Sequence, residues 1–498
     1  MNAVTPNATA EPRSYGGWRR ARGMGLMGLG FGQTMGVLAA VIAALITVTV
    51  NLKALIVVGP LCLAVAAGNL VRWDGVSLAQ ALLRWSRWTA GVGRGQTSFR
   101  GGVMAVGEHA WQLPGVLAPT VLLDVEDERG ERYGVVWHRR IGTMTVTLRC
   151  AAQSTWLADP DAANAWVANW GGWLAGLGHV PIVRWVAVTV DTAPDSGRRL
   201  SDYVHGRLAP DGPAAAVRVL EQLVATAPRA AADVQTTVSI TFDPGMSASR
   251  PRTMPDRLAE VDQALPGLRD SLAGCGLTVL GTASATQLAG MVRGAFDPAS
   301  RAEIGRLLDI ATAGDLLGWE NAGPVAADEH RDRYEHDGAV SVSWAWHEAP
   351  RQPVTHDVLA RLLAPGQFPR RVSLLYRPLT AGQAAAEVER QVNAAQFRAA
   401  YRRARRLDPT ARDVADQEQA VAAAREEALG AGVGLVSLWV TSTVLDPADL
   451  GRAVADVEAR ADTCKIRLRR LWASQSTGFA VTLPAGICPP VLAGHWPH

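Results

Sequence analysis

Two kinds of hydrophobic patterning divide the chain. From Met24 to Val50 the run "MGLMGLGFGQTMGVLAAVIAALITVTV" holds no charged residue, and after "NLK" a second apolar run extends from Ala54 to Val71. As helix, the first would be about 40 Å long against a bilayer core of ~30 Å, and the second, about 18 residues, would just reach across. Beyond Arg100 the continuous runs give way to alternation, which reads as strands, interleaved with Ala/Leu/Arg-rich helical stretches. Strands are expected at Met144–Cys150, Arg184–Thr192, Thr236–Asp243 and Leu277–Thr282, then again at Ala339–Ala349, Arg370–Leu379, Val433–Leu445 and Ile466–Trp472. Each set of four is interrupted by helical segments in the same order, so both halves read β-α-β-αα-β-α-β. The expected fold is therefore α+β: an N-terminal two-helix transmembrane hairpin, then a duplicated split-βαβ, ferredoxin-like cytoplasmic body. The boundaries are 1–100 for the hairpin with its flanks, 101–330 and 331–486 for the two α/β repeats, and 487–498 for a Pro-rich tail.

The flanks of the apolar runs set an expected orientation. Arg13, Arg19, Arg20 and Arg22 precede the first run, Arg72, Arg84, Arg87, Arg94 and Arg100 follow the second, and only Lys53 stands between them. By the positive-inside rule both ends of a hairpin would then be cytoplasmic, in a multi-pass inner-membrane protein. Trp18, Trp73, Trp85 and Trp88, among those arginines, are the expected interfacial anchors together with Arg19 and Arg20. A cleaved signal peptide does not fit a run this long followed by a second. Gly23, Gly25 and Gly28 spell G-x-G-x-x-G, but no strand precedes them, so a dinucleotide fingerprint is excluded. Gly28, Gly32 and Gly36 instead form a small-residue stripe that would let another helix approach closely.

Composition narrows the picture further. A chain of 498 residues with 48% hydrophobic and 19% charged residues carries ample core material for two or three domains. A net charge of +3 does not by itself indicate a nucleic-acid binder, and none is expected as a direct partner. All the basic residues but Lys53 and Lys465 are arginine, which reads as a codon bias rather than as binding clusters. Cys62, Cys150, Cys275, Cys464 and Cys488 are scattered and odd in number, which fits a reducing compartment.

Candidate chemistry is sparse. The nearest match to a phosphate loop, "GVMAVGEH" from Gly102 to His109, has Glu108 and His109 where a lysine and a hydroxyl residue are needed, and a carboxylate there repels a triphosphate. No H-E-x-x-H or G-x-S-x-G is present. "WHEAPRQPVTHD" gathers His347, Glu348, Arg351, His356 and Asp357, a set able to exchange protons, but Pro350 and Pro353 interrupt it and Thr355 or Asp357 would serve as a helix cap. Cys488, His495 and His498 offer three metal ligands on a proline-rich terminus without a fourth. No catalytic, cofactor-binding or metal site is expected, and no cofactor.

"FPRRVSLLYRPL", the long helical arm, "GVGLVSLWVTSTVLDPADLGRAVADVEARA" and "IRLRRLWASQSTGFAVTLPAGI" resemble the end of the N-terminal, non-motor domain of conjugative type IV secretion ATPases. "YGVVWHRRIGTMTVTL" and "LAGMVRGAFDP" are similar to that domain's opening strands and to its helix ending in an Asn/Asp-Pro pair. The apolar hairpin resembles the small two-span subunit sometimes fused ahead of such ATPases. "SYGGWRR", "STWLADP", "WHEAPRQ" and "VEARAD" resemble a family of actinobacterial membrane proteins of integrative conjugative elements. The resemblance implies a non-catalytic inner-membrane scaffold of a conjugative secretion system, docking a separately encoded motor ATPase and channel subunits. It also implies that Ser474–Gly486 corresponds to the end of that non-motor domain, so that the chain stops near the seam where a motor would begin. Two alternatives stay open: a type VII (ESX-like) secretion core component, and a membrane-anchored enzyme using His347, Glu348 and His356.

Overall fold

The computed structural model describes residue 15 and residues 31–493, apart from 51, 74–75, 103–104, 106–110, 128, 154–157, 196, 210–211, 227–231, 310–316, 351, 405–407, 409–410, 429 and 431. Helices α1 (Phe31–Val50) and α2 (Leu55–Leu70) come first, then β1 (Arg72–Trp73), β2 (Val76–Ser77) and α3 (Leu78–Gly93). Strands β3 (Ser98–Arg100), β4 (Thr120–Glu126), β5 (Arg132–His138) and β6 (Thr143–Ala152) follow. Then come α4 (Pro160–Gly176), β7 (Val183–Pro194), α5 (Arg198–His205), α6 (Ala214–Thr226), β8 (Ala232–Phe242), α7 (Met254–Asp270) and β9 (Leu277–Thr282). A connecting stretch holds α8 (Ala285–Phe296), α9 (Arg301–Asp309), α10 (Trp319–Ala322), β10 (Ala326–Glu329) and β11 (Tyr334–His336). The chain continues with β12 (Ala339–Glu348), α11 (Ala360–Leu363), β13 (Arg370–Pro378), α12 (Ala381–Ala404), α13 (Ala411–Ala428), β14 (Gly434–Val444), α14 (Leu450–Thr463) and β15 (Arg467–Arg470). Helices α15 (Gln475–Val481) and α16 (Pro489–Ala493) end the described chain.

Two compact units share these elements. One holds Ser98–Pro378 and Gly434–His498 together with the chain's start, and the other holds Arg19–Thr97 and Leu379–Val433. In the larger unit, β3 to β15 form a single 13-stranded sheet in the order β3-β10-β11-β12-β14-β13-β7-β8-β6-β5-β4, with β15 also beside β12 and β9 beside β6. This overturns the expected fold class. The body is not a pair of free-standing repeats: the edge strands β7 and β13 pair antiparallel from Val186↔Tyr376 to Thr192↔Arg370 and fuse everything into one sheet. Fusion hides two edges whose unpaired amides would otherwise face water.

Within the sheet two groups of strands run β9-β6-β8-β7 and β15-β12-β14-β13, and their registers superpose. Val186 lies opposite Ile240, itself opposite Val146; Arg370 lies opposite Ser442, itself opposite Val342. The hydrogen bonds agree, Ala283 N donating to the Thr147 carbonyl (2.8 Å) as Leu471 N does to the Ser343 carbonyl (3.0 Å). The pseudo-two-fold relation meets at Thr189 and Ser373, directly opposite each other with hydroxyls 2.5 Å apart.

Strand alternation gives the sheet two unlike faces. On one, Met144, Val146, Leu148, Val238 and Ile240 pack under α4 and α7, and Val342, Trp344, Val372 and Val440 under α11 and α14. Two of those helices start at side-chain caps: Asp159 accepts from Asp161 N ahead of α4, and Thr253 and Asp256 close a capping box on α7. The other face presents Thr145, Thr147, Ser239, Thr241, Ser341, Ser343, Thr441 and Thr443, all buried and paired: Thr145–Thr241 at 2.9 Å, Thr147–Ser239 at 2.9 Å, Ser341–Thr443 at 2.8 Å and Ser343–Thr441 at 2.9 Å. Next to this ladder α8, α15 and the C-terminal segment pack in a core with Trp185, Val136 and Leu375. Gly486, at φ +65°, lies so close to Thr145 and Thr241 that a side chain would collide with both. The residues expected to form a terminal tail are thus partly core: Ile487, Cys488, Val491 and Leu492 are buried.

The smaller unit requires a second correction. The span expected from Met24 is described as helix only from Phe31, and α2, with 16 residues and Pro60 inside it, is about 24 Å long, short of a ~30 Å hydrocarbon core. Among the described residues no helix is long and apolar enough to cross a membrane. The expected transmembrane hairpin and multi-pass inner-membrane location are therefore not supported: among the described residues there is no span for the flanking arginines to orient. What the unit does show is α1 packed on α2, and α12 on α13. Gly36 faces Asn69 of α2, where a Cβ would stand 3.3 Å from the amide nitrogen.

Candidate functional site

Three places gather polar chemistry, and they differ in access. The most deeply buried is at the seam between β7 and β13. Arg371, 5% exposed, lies opposite Asp191; its Nε donates to Thr482 Oγ1 at 3.2 Å and its guanidinium stacks on Phe479 at 4.7 Å. Its Nη2 has no partner, nor has Asp191 Oδ1. Asp191 Oδ2 accepts from Arg301 Nη1 at 2.8 Å, while Arg301 Nε and Nη2 bind Asp233 at 3.0 and 2.9 Å. Burial pulls the Arg371 pKa down to about 10, and Asp191 pulls it the other way. Enclosed by Phe479 and Thr482, these groups are placed to hold the seam rather than to meet a substrate.

The second cluster surrounds His336 at the end of β11. Its Nδ1 lies 2.6 Å from the Phe296 carbonyl and its Nε2 2.8 Å from Ser341 Oγ, itself bonded to Thr443. Phe296, Tyr334 and Phe479 surround the ring at 4.8–5.7 Å. Burial holds the imidazole down to about 4, so it is neutral at ordinary pH. A histidine beside a serine resembles a nucleophile pair, but at 2% and 0% exposure neither can be reached.

The third is open. Between the β4–β5 turn, β6, β9 and the starts of α7's last turns and α8 lies a cavity of about 400 Å³. Its lining includes Arg132, Tyr133, Arg149, Asp262, Arg269 and Gln287. Most of these charges are already matched. Arg132 pairs with Asp124, Arg269 with Glu131 at 3.9 Å and Asp270 at 3.4 Å, and Asp127 Oδ1 accepts from the amides of Arg129 and Glu131. Tyr133 Oη donates to Asp262, and burial first, that hydrogen bond second, drives the phenol's pKa well up. Arg149 is the exception: its Nε is buried without a partner. It stands at a bulge where β6 slips register against β9, the pairing passing from Arg149↔Gly281 to Cys150↔Val279. Bulges commonly re-aim a side chain beside a site. Gly134 lets the first turn of α8 close on β5, since a Cβ there would meet Ala285 Cα at 2.8 Å. A wider groove of about 710 Å³ beside α4 is lined mostly by glycine, alanine and leucine, with little polar chemistry beyond Asn169 and Ser271.

The residues singled out from the sequence are scattered elsewhere. Gly28, Trp18, Arg19, Arg20, His495 and His498 lie outside the described residues, as does Arg351. Gly32 lies in α1, Trp73 in β1, and Trp85 and Trp88 in α3, where Trp85 is 51% exposed and Trp88 Nε1 has no partner. His347 is the bulged residue of β12, between Trp346↔Leu468 and Glu348↔Arg467. His356 lies in a turn, and Thr355 Oγ1 donates to Asp357, a hydrogen bond that holds that carboxyl below its usual range. Cys488 is buried, its thiol pushed up to about 11 by that burial. Among the described residues no group of three His, Cys, Asp or Glu side chains is placed to hold a metal. Sequence reading missed Arg149, whose signal is a charged residue at an inward position of an alternating strand, "TMTVTLRCAA".

Comparison with known proteins adds little. No family model and no curated protein matches the chain. Among solved structures it is similar to the crystal structure of aclacinomycin oxidoreductase at a TM-score of 0.24 and 12% identity, over 78% of this chain and 66% of that one. A likeness of that size carries no argument about fold or activity.

Proposed function

We propose that the protein is a non-catalytic scaffold of a conjugative, type IV-like secretion apparatus that docks a separately encoded motor ATPase and channel subunits. The observation that carries this reading is apolar surface left uncovered in the smaller unit. Leu45, Ile46, Val50, Ile56, Val57, Leu61 and Leu63 on or beside α1 and α2 are each between 56% and 79% exposed. Large apolar side chains left exposed in such number are a mark of surfaces that work against another surface. The resemblance of the β13–α15 stretch to the non-motor domain of secretion ATPases supplies the partner class. In the larger unit the buried hydroxyls of the wide sheet are paired with one another.

The test is to isolate the full chain by affinity from cells that produce it and identify what comes with it. The expected result is a Walker-motif ATPase in fixed proportion, with no ATP hydrolysis by the chain alone. ATP turnover by the purified chain, or its repeated recovery alone under conditions that keep other assemblies intact, would overturn the proposal.

A further inference from the structure

The groove beside α4 carries an inference independent of the docking reading. We infer that it seats the chain's own N-terminal segment, with residues 4–12 lying along it as an extended strap that ends at Tyr15.

The groove is shaped for a close approach. Ala168, Gly172 and Gly176 follow one another every four residues on α4, and Ala264, Gly267 and Ser271, on α7 and just after it, line the other side. Glycine inside a helix is unfavourable and is kept where another backbone must come near. At Gly172, Gly176 and Gly267 an added Cβ would meet nothing within 4 Å, so packing among the described residues does not account for them.

Tyr15 shows where an occupant would come from. Its N–H donates to the Val354 carbonyl at 2.7 Å, its carbonyl accepts from Val354 N at 2.8 Å, and its Oη donates to Asn164 Oδ1 at 3.1 Å. Asn164 stands one turn before Ala168 on the same face of α4, so Tyr15 is fastened at the head of the groove. Met1–Trp18 belongs to the same compact unit as α4 and α7. The chain after Tyr15 runs on to α1 in the smaller unit, which leaves the residues before it for the groove.

Those residues are patterned for such a seat. In "VTPNATAEPR", Val4, Pro6, Ala8, Ala10 and Pro12 alternate without exception with Thr5, Asn7, Thr9, Glu11 and Arg13. An extended chain puts the first set on one face and the second on the other. The apolar face is small, as a floor of glycine and alanine requires, and the two prolines favour an extended backbone that needs no strand partner. At ~3.3 Å per residue the segment spans about 30 Å, enough to cover the ~18 Å of helix from Asn164 to Gly176.

Limited trypsin digestion of the full chain, followed at the bond after Arg13, tests the strap, with hydrogen exchange at residues 168–176 and 264–271 as a second reading. Ala8→Asp with Ala10→Asp puts carboxylates on the apolar face and is expected to speed cleavage roughly tenfold or more, and to raise exchange along the groove. Thr9→Asp, on the polar face, should change neither. Gly172→Leu fills the groove from a position with room for a side chain, so the fold is kept while the strap is displaced and cleavage accelerates. Equal cleavage rates in all four chains, an effect of Thr9→Asp as large as that of the paired variant, or protection that disappears on dilution, as it would if the strap came from a second copy, would each overturn the inference.

Discussion

The two halves of the sheet share strand order, register and a ladder of buried hydroxyls, yet they differ where they meet. Val186 and Ala187 on β7 superpose on Arg370 and Arg371 on β13, and Asp191 superposes on Leu375. One end of the seam is therefore the apolar pair Ala187 and Leu375, in the core with Trp185, and the other is the charged pair Asp191 and Arg371. Arg370 points to the opposite face, where it is 2% exposed, bonds Asp456 at 3.1 Å, and has its pKa pulled down to about 10 by burial. A duplicated frame has thus kept its hydrogen-bond geometry while its buried charges are confined to one side of the axis. Opposite charges buried in this way add little net stability, but removing one of them is costly because it strands the other.

Replacing Asp191 by leucine, the residue found at the equivalent place, is expected to have the largest effect. It leaves Arg371 buried without a nearby carboxylate, takes from Arg301 its 2.8 Å partner, and should cost ~3–5 kcal/mol in chemical denaturation. Adding Arg371→Ala should recover the part of that loss that comes from the stranded Arg371, by rebuilding the apolar pair of the other end, while the part that comes from Arg301 remains. A double variant no more stable than Asp191→Leu alone would show that the charges do more than balance each other.

His336 provides the next contrast. Its pKa is held below the ordinary histidine value, so the unfolded chain takes up a proton that the folded chain refuses. Its contribution to stability is therefore complete above the ordinary pKa of ~6.5 and is lost as pH falls toward about 4, by up to ~3 kcal/mol. In His336→Gln that part of the pH dependence should vanish. An unchanged slope of stability between those pH values would sink this account.

The smallest expected effects concern the hydroxyl ladder. Thr145→Val leaves Thr241 unpaired and should cost ~1–3 kcal/mol, whereas Thr145→Val with Thr241→Val should be close to neutral. The superposed pair should behave differently, because Ser341 also holds His336. Ser341→Ala with Thr443→Val should retain a penalty of ~1 kcal/mol or more. Equal melting curves for the two double variants would mean that the His336 contact contributes nothing.

The place of most strands was legible from alternation alone. Leu277–Thr282 is β9 to the residue, and the runs expected at Ala339–Ala349 and Arg370–Leu379 end one residue beyond β12 and β13. Of the candidate sites, by contrast, almost nothing was legible. Asp191 meets Arg371 through strand pairing, and His336 and Arg371 meet Phe296 and Thr482 through the packing of distant elements, so no local spacing announces them. The arginines in particular read as compositional background, because a guanidinium in a sequence carries no sign of whether a carboxylate will stand opposite.

By itself, then, the sequence determined the local periodicities, the helix caps at Asp159, Thr253 and Ser284, and the repeated element order, since each follows from contacts within a few residues. Tertiary structure alone decided that β7 would pair with β13, that Ile487, Cys488, Val491 and Leu492 would enter the core, and that Arg149 Nε would be buried without a partner. Those outcomes join residues about 180 positions apart, as with Thr189 and Ser373, and depend on which surfaces remain to be buried once the local elements exist.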